Sequence, residues 1–570
     1  MHRFELWAPR PAQVELLLPG RRVPMDRDEA GWWRVEVDAA GPGTRYAFSL
    51  DGGSARPDPR SGSQPDGVDG WSEVVDPAAT GWTDQRWRGL PLAGAVLYEL
   101  HVGTFTPEGT FDAAVDRLPH LVDLGIDAVE LLPVAEFPGR RGWGYDGVHL
   151  FAPHHAYGGP AGLDRFVDAC HAHGLGVVLD VVYNHLGPLG NHLAELGPYV
   201  TDRHRTPWGD AVNVDGPDAL EVRRFVVDNA RHWLRDHHCD GLRLDAVHAI
   251  VDDSPRHLLE ELAVEVEALS RQLGRHLFLI AEDDTNDPRL VRPRDAGGYG
   301  LDATWADDWH HALHVALTGE HDGYYRDHTG SDALPKALRQ AWVLDGIHSV
   351  HRGRRHGQPP TGLDPASFVV AAQNHDQIGN RARGERLSHL VSEGRLHVAA
   401  ALLLTTPFTP MLFQGEEWGV TSPFLYVTDH PDPALAAAVR EGRRAEFAAF
   451  GWDPAQVPDP QDPATFERSR LRWDELDEPA HRRLLDWHRH LIALRRRLPA
   501  LTRPDLPVEA AWEDRVLRWR RGDVHLAANL GDHPVEVDVA GPVHAASPGA
   551  EPTPRRFALA VDSVVVWSQP

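Results

Sequence analysis

Eight short apolar runs, separated by stretches of helical periodicity, constrain this chain more than any other feature. From about Val96 they read AVLYEL, DAVELLPV, GVVLDVVYN, GLRLDAV, LFLIAED, DATWAD, FVVAAQNHD and MLFQGEE. Strand-like runs alternating with helices are the signature of a parallel sheet, and eight of them predict an α/β fold, a (β/α)8 TIM barrel. The helical stretches agree. FDAAVDRLPHLVDLG is expected to set Val115, Leu118 and Val122 on one face, with Gly125 as its stop. In LDRFVDAC, the residues Leu163, Phe166, Val167 and Cys170 share a helical face, which makes Cys170 a core residue.

The two ends of the chain are built differently. WWRVEV (Trp32 to Val37) and RYAFSL (Arg45 to Leu50) alternate, with GPG and DGG as turns, and predict an N-terminal β-sandwich over residues 1–85. The Pro/Gly/Asp-rich stretch from Asp51 to Asp69 reads as a long loop and domain joint. Beyond the basic helix end Arg495 to Arg497, alternation returns in VLRWRR, VHLAANL, VEVDV and SVVVW. These predict a C-terminal antiparallel β-domain over residues 505–570, leaving 86–504 to the barrel and its insertions.

Composition removes several functions. The formal net charge of −27 argues against partners that are nucleic acids or anionic membranes, where Lys and Arg must neutralise phosphate. Cys170 and Cys239 are the sole cysteines, so no disulfide framework is expected. The start, MHRFELWAPRPAQVELLLPG, lacks the basic and apolar segments of a secretion signal. No stretch approaches the roughly 20 apolar residues of a membrane helix, and a cytoplasmic location is expected.

In a TIM barrel the active site gathers at the C-terminal ends of the strands. Asp245 closes GLRLDAV, Glu282 closes LFLIAED on the next strand, and Asp376 closes FVVAAQNHD two strands later. Carboxyl groups on neighbouring strands suit glycosidic cleavage by double displacement, which needs two of them about 5–5.5 Å apart. Taken singly, each Asp would read as a loop or helix cap, and Arg243 with Asp245 as a plain ion pair. The coincidence of three acids at three strand ends favours chemistry. Other clusters have simpler readings. His310 and His314 have helix-ligand spacing, but a helix start explains them. His237 to Cys239 reads as a helix end, and Tyr157 to Pro160 as a turn.

Four segments, in order, resemble the signature regions of the α-amylase superfamily: DVVYNH (Asp180 to His185), GLRLDAVH (Gly241 to His248), the Glu282 segment IAED, and QNHD (Gln373 to Asp376). GYDGVHLFAP (Gly144 to Pro153) is similar to its early barrel segment. The resemblance implies Asp245 as nucleophile, Arg243 as the group orienting it, Glu282 as general acid/base and Asp376 as a holder of sugar hydroxyls. It implies that His185 and His375 hydrogen-bond the same sugar, that Tyr145 stacks beneath it, and that Asp180 supports the network. It requires no cofactor and no metal.

Longer stretches resemble the malto-oligosyltrehalose trehalohydrolases within that superfamily. These are Pro407 to His430, Arg440 to Trp452, Val457 to Trp473, and AEDD (Ala281 to Asp284) with Asn286 and Asp287. The likeness implies a retaining hydrolase acting on malto-oligosyltrehalose, releasing trehalose and a shortened maltodextrin. It also implies functional pairing with a malto-oligosyltrehalose synthase and an N-terminal domain of carbohydrate-binding-module type. The alternatives are a glycogen-branching transglycosylase and a non-catalytic glucan-binding relative. Loops around Asp307–His311 and Trp418–Phe424 are expected to read the leaving group.

Overall fold

The computed structural model describes the chain except for residues 77, 79, 450–455, 555 and 570. The tail of the segment Arg440 to Trp452 therefore lies outside the described residues. All eight apolar runs form strands: β1 (Leu97–Leu100), β2 (Ala128–Leu131), β3 (Gly176–Val181), β4 (Gly241–Leu244), β5 (Phe278–Ala281), β6 (Ala303–Trp305), β7 (Phe368–Ala371) and β8 (Thr409–Phe413). They close in sequence order into one parallel barrel, with β8 pairing β1. Leu97, Ala128, Val178, Phe278, Ile280, Val369 and Met411 belong to one buried cluster drawn from these strands. Gly241 opens β4 because a Cβ there would stand 2.4 Å from the Phe278 ring.

Cys170 is fully buried on the helix Gly159–Ala172, together with Leu163, Phe166 and Val167. The expected face of the FDAAVDRLPHLVDLG helix needs correction. Two helices form, Phe111–Val115 and Leu118–Leu124, with Pro119 in the first turn of the second. The break resets the phase, so Leu118, Leu121 and Leu124 are buried and Val122 is exposed. Gly125 does end the second helix, at φ +97°. His237 ends a π-helical turn over His232–Asp236, as a helix-end reading requires.

Before the barrel, a three-stranded and a five-stranded antiparallel sheet face each other, and Phe4 of one meets Tyr46 of the other at 4.8 Å. After it, a five-stranded and a three-stranded sheet follow. Two long excursions rise from the strand ends. One, after β3, carries the hairpin Val200–Thr206/Gly209–Val212. The other, between β6 and β7, carries the helices Asp307–Thr318, Gly323–His328 and Ala333–Gln340. Among the described residues no helix is long and apolar enough to cross a membrane.

Candidate active site

The ends of β4 and β5 are stitched together by backbone. Glu282 N–H donates to Leu244 O at 2.9 Å, and Val247 N–H donates to Glu282 O at 3.0 Å. Between them Ala246 takes a left-handed conformation (φ 39°, ψ 54°), uncommon for a residue with a Cβ. That twist turns the Ala246 N–H onto Glu282 Oε2 at 2.7 Å. Arg243, fully buried on β4, donates through Nη1 to Asp245 Oδ1 at 2.8 Å, while its Nη2 stands 3.7 Å from Glu282 Oε2. One guanidinium thus faces both carboxyls. It is itself held over the Trp305 ring, 4.2 Å from the centroid.

The two acids differ in surroundings. Burial pushes the Glu282 carboxyl well above the ordinary glutamate range, Arg243 opposes this, and Asp245 adds to it. Glu282 is therefore the group that keeps a proton. Asp245 has a full hydrogen-bonded contact with the Arg243 cation. Asp376 stands at the start of the short helix His375–Gly379, with its side chain 44% exposed toward the groove.

Behind the carboxyls runs a chain of hydrogen bonds. The Tyr145 hydroxyl donates to Asp180 Oδ2 at 2.6 Å, so its oxygen is left to accept from His375 Nε2 at 2.7 Å. His375 Nδ1 meets Glu99 Oε1 at 2.5 Å, and its backbone N–H donates to Glu99 Oε2 at 3.0 Å. Both ring nitrogens then carry protons. Burial alone would lower the His375 pKa, but Asp376 and Glu99 outweigh it and raise the value to about 9. Arg243 Nη1 also donates to Asp180 Oδ2 at 2.8 Å. Burial raises Asp180 to about 7 against the pull of Arg243.

Asp245, Glu282, Asp376, Arg243, Asp180, Tyr145, His185 and His375 meet here, in two layers. Asp245, Glu282 and Asp376 line a groove of about 440 Å³, whereas Arg243 and His375 are buried behind it. The Tyr145 ring stacks on His375, with centroids 5.3 Å apart. His185 has both nitrogens engaged, with Asn184 Oδ1 and Tyr145 O each at 3.0 Å, and its ring stacks on Trp208 at 4.7 Å. His310 and His314 turn elsewhere, to Ala372 O and to Glu320. Asp307 and His311 line the groove, but Trp418 and Phe424 do not. Both are wholly buried, Trp418 against His120 and Trp473, and Phe424 between Trp143 and Phe413.

Glu99, buried behind the groove, and several residues that line it were not singled out in the sequence. Glu99 closes an apolar run just as Asp245 does, so the same signal was available for it. Trp208, Tyr324, His351, Arg352 and His356 line the groove from loops, where no periodicity announces them.

The barrel, its flanking sheets and this site define an α-amylase-type glycoside hydrolase. Residues 62–196 match the family model described as Alpha amylase, catalytic domain, and residues 1–79 match Carbohydrate-binding module 48 (Isoamylase N-terminal domain). The chain is 54% identical to the malto-oligosyltrehalose trehalohydrolase of Arthrobacter ramosus over 95% of its own length and 94% of the relative's. It is 51% identical to that of Rhizobium sp. (strain M-11), over 95% and 92%. A solved protein from Salmonella typhimurium, presented as an alpha amylase, superposes with a TM-score of 0.90 at 39% identity, covering 100% of this chain and 97% of the other. The chain belongs to the malto-oligosyltrehalose trehalohydrolase family.

Proposed function

We propose that this chain hydrolyses the α-1,4-glucosidic bond next to the terminal trehalose unit of malto-oligosyltrehalose, with retention of configuration. The observation that carries the chemistry is the single guanidinium of Arg243 facing both Asp245 and Glu282. Likeness to the trehalohydrolases along nearly the whole chain carries the substrate.

Asp245 attacks the anomeric carbon and forms a glycosyl–enzyme bond, while Glu282 gives its proton to the departing 4-oxygen of trehalose. Glu282, now ionised, then takes a proton from water, whose oxygen displaces Asp245 and frees the shortened maltodextrin. Asp376, with His375 behind it, holds hydroxyls of the sugar as its ring flattens. The doubly protonated His375 keeps Asp376 and Glu99 in place and supplies positive charge beneath the site.

We assign residues 1–85 to a glucan-module-like sandwich, 86–504 to the catalytic barrel and 505–570 to the C-terminal β-domain. We place the enzyme in the cytoplasm, where a synthase forming the terminal trehalose linkage would supply its substrate.

The test is a product assay on maltotriosyltrehalose and maltopentaose at equal concentration. Rapid release of free trehalose, with maltopentaose cut far more slowly, is the expected result. Equal cutting of both would reduce the reading to a general amylase. New α-1,6 branches on amylose, with no hydrolysis, would replace it with transglycosylation.

A further inference from the structure

Glu130 stands on β2 inside the barrel, below the catalytic mouth. It is 1% exposed, and it lies in register with Glu99 on β1 and Val178 on β3. Neither of its carboxyl oxygens has a protein hydrogen-bond partner. Three other buried atoms on the next two strands share that condition, Asp180 Oδ1 on β3 and Arg243 Nε and Nη2 on β4. Asp180 and Arg243 are themselves register partners. Buried polar groups are almost always satisfied, by protein or by ordered water. Here the unmatched atoms form a complementary set: an acceptor on Asp180, donors on Arg243, and a carboxyl able to do both when protonated.

We propose that Glu130 keeps its proton at working pH and anchors an internal water bridge to Asp180 and Arg243. The bridge positions the guanidinium that holds Asp245 and faces Glu282. An ionised Glu130 would sit unpaired beside the Glu99 carboxylate, the costliest arrangement a barrel interior can offer. The charged groups facing it are Glu99 from β1, Asp180 from β3, Arg243 from β4 and His375 from the loop after β7. Burial first, and then Glu99, push its carboxyl well above the ordinary value of 4.5, with Arg243 opposing. Glu130 is a positioning residue, and its role rests on the proposal that Asp245 and Glu282 are the reacting pair.

Two variants of the full chain test this, with readouts that do not all depend on turnover. Glu130→Gln is neutral at every pH. The folded wild type retains a proton that its unfolded chain loses above the ordinary glutamate range. Wild-type stability should therefore fall relative to Glu130→Gln as pH rises. The difference in Tm, variant minus wild type, is expected to widen steadily from pH about 5 to about 8. In the infrared difference between wild type and Glu130→Gln, a protonated-carboxyl band should persist at the upper end of that range, apart from the bands of Glu282 and other raised carboxyls common to both proteins.

Glu130→Leu fills the space without a polar group. It is expected to lower kcat at least tenfold with KM within twofold, and Glu130→Gln should restore most of that loss. A Tm difference that narrows or reverses with rising pH, or an infrared difference with no protonated-carboxyl band, would overturn the protonated state. A folded Glu130→Leu with wild-type kcat would overturn the positioning role. If Glu130→Leu does not fold, the thermal and infrared results on Glu130→Gln still decide. Those two results are also independent of the product assay, so a wrong substrate assignment would leave them unchanged.

Discussion

The groove has two kinds of wall. One is borne by strand ends: Asp245 and Glu282 line the groove, Arg243, Asp180 and Glu99 stand buried behind them, and each is fixed by hydrogen bonds of 2.5–2.8 Å. The other is borne by the excursions after β3 and β6: Trp208, Tyr324, His351 and Arg352 reach the groove from hairpins and short helices. Trp208 remains 49% exposed. Strand ends are held on both sides by the barrel and tolerate almost no displacement, which is what bond-making requires. Loops can vary in length and side chain without disturbing it, which suits the selection of one leaving group over another.

That contrast can be broken at four points. The largest effect is expected for Asp245→Ala, a loss of turnover on the order of 10⁴-fold or more, with the thermal transition retained. Near-normal release of trehalose would remove Asp245 as the nucleophile. Glu282→Gln should follow at about 10³-fold. In the wild type the reacting proton is present below the raised pKa of Glu282 and lost above it, so kcat/KM should fall as pH rises through that value. The variant's residual rate should lack this alkaline limb.

Tyr145→Phe removes the hydroxyl shared by Asp180 and His375. Two buried groups are then one partner short, a cost of about 1–3 kcal/mol each. A fall in both Tm and kcat is expected, and a change in KM alone would contradict the bridging role. The smallest effect belongs to the loop wall. Trp208→Ala should raise KM a few-fold while leaving kcat within about twofold, because an aromatic contact is worth about 0.5–1.5 kcal/mol beyond its area. A collapse of kcat there would erase the distinction between the two walls.

The strand-borne wall was readable in advance because barrel geometry converts sequence into position. An acid closing an apolar run must emerge at the rim, and Asp245, Glu282 and Asp376 do so. Arg243 entered through the family pattern, which sets it two residues before Asp245. Glu99 carried the same mark and was passed over, because only acids matching the family pattern were singled out. Glu130 carried a different one, a charge inside an apolar run, whose meaning depends on what stands beside it. The loop wall had no equivalent rule. Trp418 and Phe424 looked as eligible as Asp307, yet both are fully buried and line no part of the groove. The helix over Phe111–Leu124 shows the same limit locally: Pro119 reset its phase, and Val122 turned outward.

The sequence by itself determined the eight-stranded barrel, the flanking sheets and the order of the acids at the strand ends. Those follow from periodicity and chain order, which are properties of the chain before it folds. The tertiary structure alone decided which acid keeps a proton. Glu282, Asp180, Asp307 and Glu130 are carboxyls of ordinary intrinsic strength. Their differences arise from burial and from distances to Arg243, His375 and one another, and those distances exist only once the barrel has closed.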